Sequence, residues 1–246
     1  MRKSLSIVMP AFNEGQILPK TVTDCYQHIL SRFKQGEIII VDDCSTDNTG
    51  EIISELAIKF GECIKPIKNQ KNLGHGPSLI KGLYAAQYEY VFIIDSDYQH
   101  LPQDFWKLFA KIKDCHIVTG LRSNRQDPAH RLILSKFANL LVASLFQCNL
   151  KDMNIPFKLF KKSCLDSLLP YVPKNFKVPS ILLVALAIKM GFRVFQVEVT
   201  HLPRKTGKCS LHTFRLLSFS LNALVQFVAY RSGPWRSIET ASMANV

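Results

Sequence analysis

Asp95 and Asp97 stand two residues apart, with Ser96 between them, directly after the apolar run Tyr90-Val-Phe-Ile-Ile94. Two carboxylates at that spacing, just beyond a buried strand, can turn toward one cation. Mg2+ or Mn2+ prefers oxygen ligands of this kind and fills its remaining positions with water or substrate phosphate. A cation held there screens the charge that builds on a diphosphate as its bond to carbon breaks. The bare Asp-x-Asp pattern also occurs in ordinary surface loops, so its weight comes from its place after a strand.

A second acidic pair, Asp42-Asp43, closes the run Glu37-Ile-Ile-Ile-Val41. These carboxylates can hydrogen-bond a nucleotide base or ribose, or cap the turn Ser45 to Gly50; a carboxylate has lone pairs enough for both. Pro10, Ala11, Asn13 and Glu14 similarly follow the first apolar run, Leu5 to Met9. No GxGxxG follows that run and no Walker lysine motif is present, which argues against dinucleotide and P-loop chemistry. Gly74-His75-Gly76 allows tight backbone passage near a ligand, and His75 alone reads as an ordinary exposed histidine. Arg122, Arg125, His130 and Arg131 precede an apolar stretch. Their guanidinium donors match phosphate oxygens, but a solvated charge run fits equally.

The elements that position these groups alternate. Strands are expected at Leu5–Met9, Glu37–Val41, Ile64–Ile67, Tyr90–Ile94, His116–Thr119 and Arg193–Val199, from short apolar runs bounded by turn residues. Helical spacing is found over Ile17–Phe33, Glu51–Phe60, Pro77–Tyr88, Phe105–Lys113, Leu132–Phe146, Ser163–Leu169, Ser180–Lys189 and Leu211–Tyr230. Such alternation predicts an open, mostly parallel α/β sheet with ligands gathered beyond the carboxyl ends of its strands.

Composition narrows the partners. Lys and Arg number 31 against 19 acidic residues, a net charge of +12 over 246 residues, which attracts anions. The basic residues are scattered, with no basic tail and no zinc-finger spacing, so a nucleic-acid partner is not expected. Seven cysteines without a CxxC pair fit reduced thiols and a cytoplasmic setting. The amino terminus reads as a strand rather than a signal peptide, and no run of 18 uncharged apolar residues predicts a membrane span.

Taken in order, several segments resemble family 2 glycosyltransferases of the GT-A fold, especially the dolichyl-phosphate mannose synthase and polyprenyl-phosphate glycosyltransferase branch. They are Ser6 to Glu14, Glu37 to Gly50, Lys71 to Gly76, Asp95 to His100, Gly120 to Arg122, Asp152 to Phe160 and His201 to Gly207. The resemblance implies a catalytic domain over residues 1–210, with 211–246 as an amphipathic helix and tail. It implies an inverting transfer from a GDP- or UDP-linked sugar, assisted by Mg2+ or Mn2+. Pro10, Ala11, Asn13, Glu14, Asp42, Asp43, Ser96, Arg204 and Lys205 would hold the donor, with Asp95, Asp97 and Gln99 organising the metal and diphosphate. Arg122, Arg131 and Ser135 would contact an acceptor phosphate.

The chain departs from the branch in having Asp95-Ser-Asp-Tyr-Gln-His-Leu-Pro102 where Asp-Ala-Asp-Leu-Gln-His-Pro-Pro is usual. It also lacks, at Val178-Pro-Ser-Ile181, the acid that hydroxyl-acceptor members use as a base. An anionic phosphate needs positioning and charge screening more than a base, so the expectation is a polyprenyl phosphate acceptor, with Asp152 in reserve as base for a hydroxyl. The helices Leu132–Phe146 and Leu211–Tyr230 are compatible with peripheral contact on the anionic cytoplasmic face of a membrane, with packing on the sheet, or with a homodimer interface. Alternative readings are transfer to a soluble hydroxyl acceptor and nucleotide-sugar binding without turnover.

Overall fold

The computed structural model describes residues 3–123, 143–146, 150–203, 213–233 and 235. Seven strands form one sheet: β1 (Ser4–Ala11), β2 (Gln35–Asp42), β3 (Ile64–Lys68), β4 (Tyr90–Ile94), β5 (Ile117–Ser123), β6 (Phe157–Lys161) and β7 (Val194–Thr200), in the spatial order β3-β2-β1-β4-β6-β5-β7. β1 pairs in parallel with β2 and β4, β2 with β3, and β5 with β7. β6 is antiparallel to both neighbours, β4 and β5. Six strands therefore run one way. Their carboxyl ends and the amino end of β6 share one edge.

Among the described residues, seven helices longer than one turn cover the two faces: α1 (Leu18–His28), α2 (Thr49–Phe60), α3 (His75–Ala85), α4 (Phe105–Lys111), α5 (Lys162–Leu168), α6 (Pro179–Lys189) and α7 (Thr213–Ser232). Alternation along each strand decides which face a residue serves. Leu5, Ile7, Met9, Ile38, Ile40 and Phe92 pack with α1, α2 and α4, whereas Val8, Ile39, Val41, Val91 and Ile93 pack with α3, α5, α6 and α7. Each such side chain, removed from water, contributes about 2 kcal/mol. α6 is apolar around its whole circumference, and Pro179 through Ala187 are all buried. α7 enters the same core through Phe227 and Tyr230, with Trp235 beyond it. Its opposite face leaves Leu221, Val225 and Val228 exposed.

The expected elements are found, with shifted ends. The helix expected over 17–33 breaks at His28 into a 3-10 turn, Leu30–Arg32. α3 starts at His75 rather than at Pro77, because Gly74 turns the chain at φ 89°. Of the helix expected over 132–146, the structure describes residues 143–146, which are helical.

Candidate active site

Three acidic strand ends meet at the shared edge, because β1 lies between β2 and β4. Four non-glycine residues with left-handed backbones lie along it: Asn13 after β1, Cys44 after β2, Tyr98 after β4, and Asp152 before β6. Such conformations are costly for residues with a Cβ, and they gather where loops are held for function.

On the β1–β2 side, the expected donor-binding residues are brought together and interlocked. Pro10 and Ala11 close β1 opposite Val41 and Asp42. Asn13 exchanges hydrogen bonds with Thr46, accepting its N–H at 2.8 Å, and the Asn13 N–H donates to Ser45 Oγ at 3.0 Å. Glu14 is nearly buried, and its N–H donates to Thr49 Oγ1 at 2.9 Å. Asp42 Oδ1 accepts the Ser45 N–H at 2.9 Å. Asp43 closes a second loop, accepting from Asn69 Nδ2 at 2.8 Å, Leu73 N at 2.9 Å and Gly74 N at 2.7 Å. Asp42 thus caps the turn that follows β2, whereas Asp43 shapes the 69–74 loop instead.

The acidic turn after β4 faces this loop. His75, in the first turn of α3, meets Asp95 Oδ1 through Nε2 at 2.9 Å. Burial alone would raise the Asp95 carboxyl, but the charge and hydrogen bond of His75, with His100 and Lys158 beyond, hold it below the usual range. Reciprocally, crowding opposes charge on the His75 ring, and Asp95, Asp97 and Asp43 together raise it above the usual histidine value. Sequence reading had no signal for this pairing, since the two residues come from separate loops. Asp97 Oδ1 accepts the Gln99 N–H at 3.1 Å. Ser96 is buried, and its carbonyl accepts from Thr21 Oγ1 at 2.9 Å. The Gln99 side-chain amide donates to Leu202 O at 3.4 Å, while Leu202 N donates to Gln99 O at 2.8 Å, tying the 201–203 segment to the turn. His100 lies tilted against the rings of Phe157 and His201; burial pushes it down to about 4, so it is neutral at pH 7.

The donor set fits a hard divalent cation. Asp95 is held ionised and Asp97 stands two residues away. Among the described residues no group of three or more His, Cys, Asp or Glu side chains could hold a metal by itself. Two carboxylates with water and a diphosphate completing the shell is the mode that Mg2+ and Mn2+ adopt.

At the far side of the edge, Arg122 ends its charge search inside the protein. Its Nε and Nη2 donate to Asp152 Oδ2 and Oδ1 at 2.7 and 2.6 Å, a bidentate pair with side chains 12% and 7% exposed. Behind them Lys158, fully buried on β6, donates to Met153 O at 3.0 Å and to Ile155 O. Its position among Phe157, Leu159 and Phe160 is the signal that it points into the protein. Arg131, Ser135, Arg204 and Lys205 lie outside the described residues.

The chain is similar to curated undecaprenyl-phosphate 4-deoxy-4-formamido-L-arabinose transferases. The Proteus mirabilis protein is 26% identical over 89% of this chain and 66% of its own length, and that of Pseudomonas savastanoi is 27% identical over 90% and 65%. The chain thus spans just under two thirds of the length of these relatives. Among solved structures it resembles glucosyl-3-phosphoglycerate synthase from Mycobacterium tuberculosis. One with Mn2+, UDP-glucose and phosphoglyceric acid has a TM-score of 0.70 at 18% identity, covering 94% of this chain and 80% of the other. One with Mn2+, UDP-glucose and glycerol 3-phosphate has a TM-score of 0.67 at 20% identity, with the same coverage.

These findings correct the expected acceptor. The placement within the polyprenyl-phosphate branch, and with it the lipid phosphate partner and membrane contact, gives way to the soluble phosphorylated compounds held by the solved relatives. In this chain Arg122 is paired with Asp152, and among the described residues no helix is long and apolar enough to cross a membrane. The GT-A fold itself is as expected, and the ion in those relatives is a divalent cation. The family model for glycosyl transferase family 2 matches residues 6–169, two thirds of the sequence, across all three acidic strand ends, and the chain belongs to that family.

Proposed function

We propose that the enzyme transfers a sugar from a UDP-linked donor to a hydroxyl of a small soluble acceptor that carries a phosphate. The observation that carries this reading is the Asp95–Asp97 turn, on a fold shared over 94% of the chain with a synthase holding Mn2+, UDP-glucose and phosphoglyceric acid. In the reaction the acceptor oxygen bonds to the anomeric carbon, the bond from that carbon to the diphosphate breaks with its electrons, and the hydroxyl proton is released. Asp95 and Asp97 would hold a divalent cation, which would offset the charge growing on the departing diphosphate.

The protein's own groups orient the reactants. His75 fixes the Asp95 carboxylate, and the loops held by Asp42, Asp43 and Asn13 form the floor on which a nucleoside would rest. Asp152, the reserve base for a hydroxyl acceptor, is held in a bidentate ion pair by Arg122. The five described cysteines are free, which supports a reducing, cytoplasmic setting.

The test is a product screen with Mn2+ and a panel of nucleotide sugars, offering phosphoglyceric acid, glycerol 3-phosphate and undecaprenyl phosphate in parallel. Glycosides of the phosphorylated acceptors, joined through an acceptor hydroxyl, are expected, and Asp97→Ala should lower turnover by about 100-fold. Transfer to the lipid phosphate alone would sink the reading.

A further inference from the structure

α1 grips the acidic turn at two points one helical turn apart. Thr21 Oγ1 donates to Ser96 O at 2.9 Å, and the Tyr98 hydroxyl donates to Asp24 Oδ2 at 2.5 Å. Residues 21 and 24 share one helix face, while Ser96 and Tyr98 flank Asp97. Lys20 completes the cluster, with its ammonium 3.0 Å from Asp24 Oδ2 and 4.4 Å from the centroid of the Tyr98 ring. Tyr98 adopts a left-handed backbone at φ 57°, a conformation that a side chain with a Cβ keeps only where its surroundings impose it. Here the imposing contact is the phenol held by Asp24. The same turn lets Asp97 Oδ1 accept the Gln99 N–H at 3.1 Å, which sets the direction of that carboxylate.

We infer that Thr21, Asp24 and Tyr98 are positioning residues, and that α1 braces Asp97 in the orientation that binds the divalent cation. The inference rests on the proposed Mn2+-dependent transfer. A brace of this kind acts through another residue: it leaves the ligand atoms in place and changes how well they are aimed. Loss of an outer hydrogen bond that aims a metal-binding group weakens affinity on the order of tenfold.

The direct test titrates Mn2+ into the whole protein with UDP present, following unbound ion by electron paramagnetic resonance. Tyr98→Phe and Asp24→Ala are each expected to weaken Mn2+ binding by about tenfold. The double variant should be no weaker than either alone, since one hydrogen bond is lost in all three. In turnover, the Mn2+ concentration for half-maximal rate should rise by the same factor, while the rate at saturating Mn2+ stays near wild type. A general loss of fold would instead lower the rate at every Mn2+ concentration. Thr21→Val provides a separate, near-isosteric cut at the other grip point if Asp24→Ala does not fold. Wild-type Mn2+ affinity in folded Tyr98→Phe and Thr21→Val overturns the brace and leaves the proposed function standing. A wild-type protein whose UDP complex takes up no Mn2+ overturns both.

Discussion

Lys158 has no exposed surface, and its only described hydrogen-bond acceptors are two backbone carbonyls in the loop before β6. Burial pushes its pKa down to about 7, with Arg122 adding to the effect and Asp152 and Asp95 opposing it. A lysine in the unfolded chain titrates near 10.4. Between about pH 7 and about pH 10 the unfolded chain therefore holds more protons than the folded one, and stability rises with pH across that window. Below about pH 7 both forms are protonated and this gain is absent. Lys158→Met removes the linkage, so wild-type stability minus variant stability should grow as pH rises through the window. Urea unfolding at several pH values checks it; a constant difference would mean that Lys158 keeps its proton throughout. The neighbouring Arg122–Asp152 pair is a second residue-scale test. Removing one member of a buried ion pair strands the other, at about 3–5 kcal/mol, so Asp152→Ala should lose stability in that range. Arg122→Ala combined with Asp152→Ala should lose less than the sum of the single changes, as measured by the same unfolding curves.

At the scale of elements, α3 shows what hydrophobic patterning reveals and what it leaves out. Leu79, Ile80 and Leu83 announce a helix with one buried face, and that face does pack on Val8, Ile39 and Val41. The start of the helix depends on something else. Asp43 draws in the N–H groups of Leu73 and Gly74 from thirty residues along the chain, so the helix begins two residues earlier than Pro77 suggests and delivers His75 to Asp95. Contacts between distant loops leave no periodic trace, which is why the acidic strand ends were legible and the histidine partner was not. The same helix carries a tight approach. A Cβ added at Gly76 would lie 2.2 Å from Phe176 O and 2.4 Å from Lys177 O, both backbone atoms. Helix propensity by itself favours alanine over glycine by about 1 kcal/mol, but backbone that must move reverses the sign, and overpacking of this kind costs about 1–3 kcal/mol. Gly76→Ala should therefore lower the melting temperature, and the shift of α3 should raise the donor KM through His75. An unchanged or higher melting temperature would show that the 176–177 loop yields freely.

At the scale of the whole molecule, one reversed strand completes the site. The sequence reading expected a mostly parallel sheet, and six strands agree; Phe157 to Phe160 is apolar in a way that serves either direction, so the antiparallel insertion of β6 between β4 and β5 was not readable from it. That reversal brings the amino end of β6, with Asp152 just before it, to the edge where β1, β2 and β4 end. The edge is thus lined from both halves of the sheet, and a ligand lodged there touches loops that unfolding would separate. A ligand that binds only the folded chain, at 100 times its Kd, adds about 2.7 kcal/mol of stability. In a domain of this size each kcal/mol is worth about 2–4 °C in Tm, so saturation should raise Tm by roughly 5–10 °C. UDP and Mn2+ together are expected to produce that shift, and either alone a much smaller one, because two carboxylates leave most of the ion's coordination to the diphosphate and water. Asp97→Asn should remove the joint increment while keeping the shift given by UDP alone. Differential scanning calorimetry on the four ligand combinations decides the matter: a full shift with UDP in the absence of Mn2+ would take the cation out of donor binding at this edge.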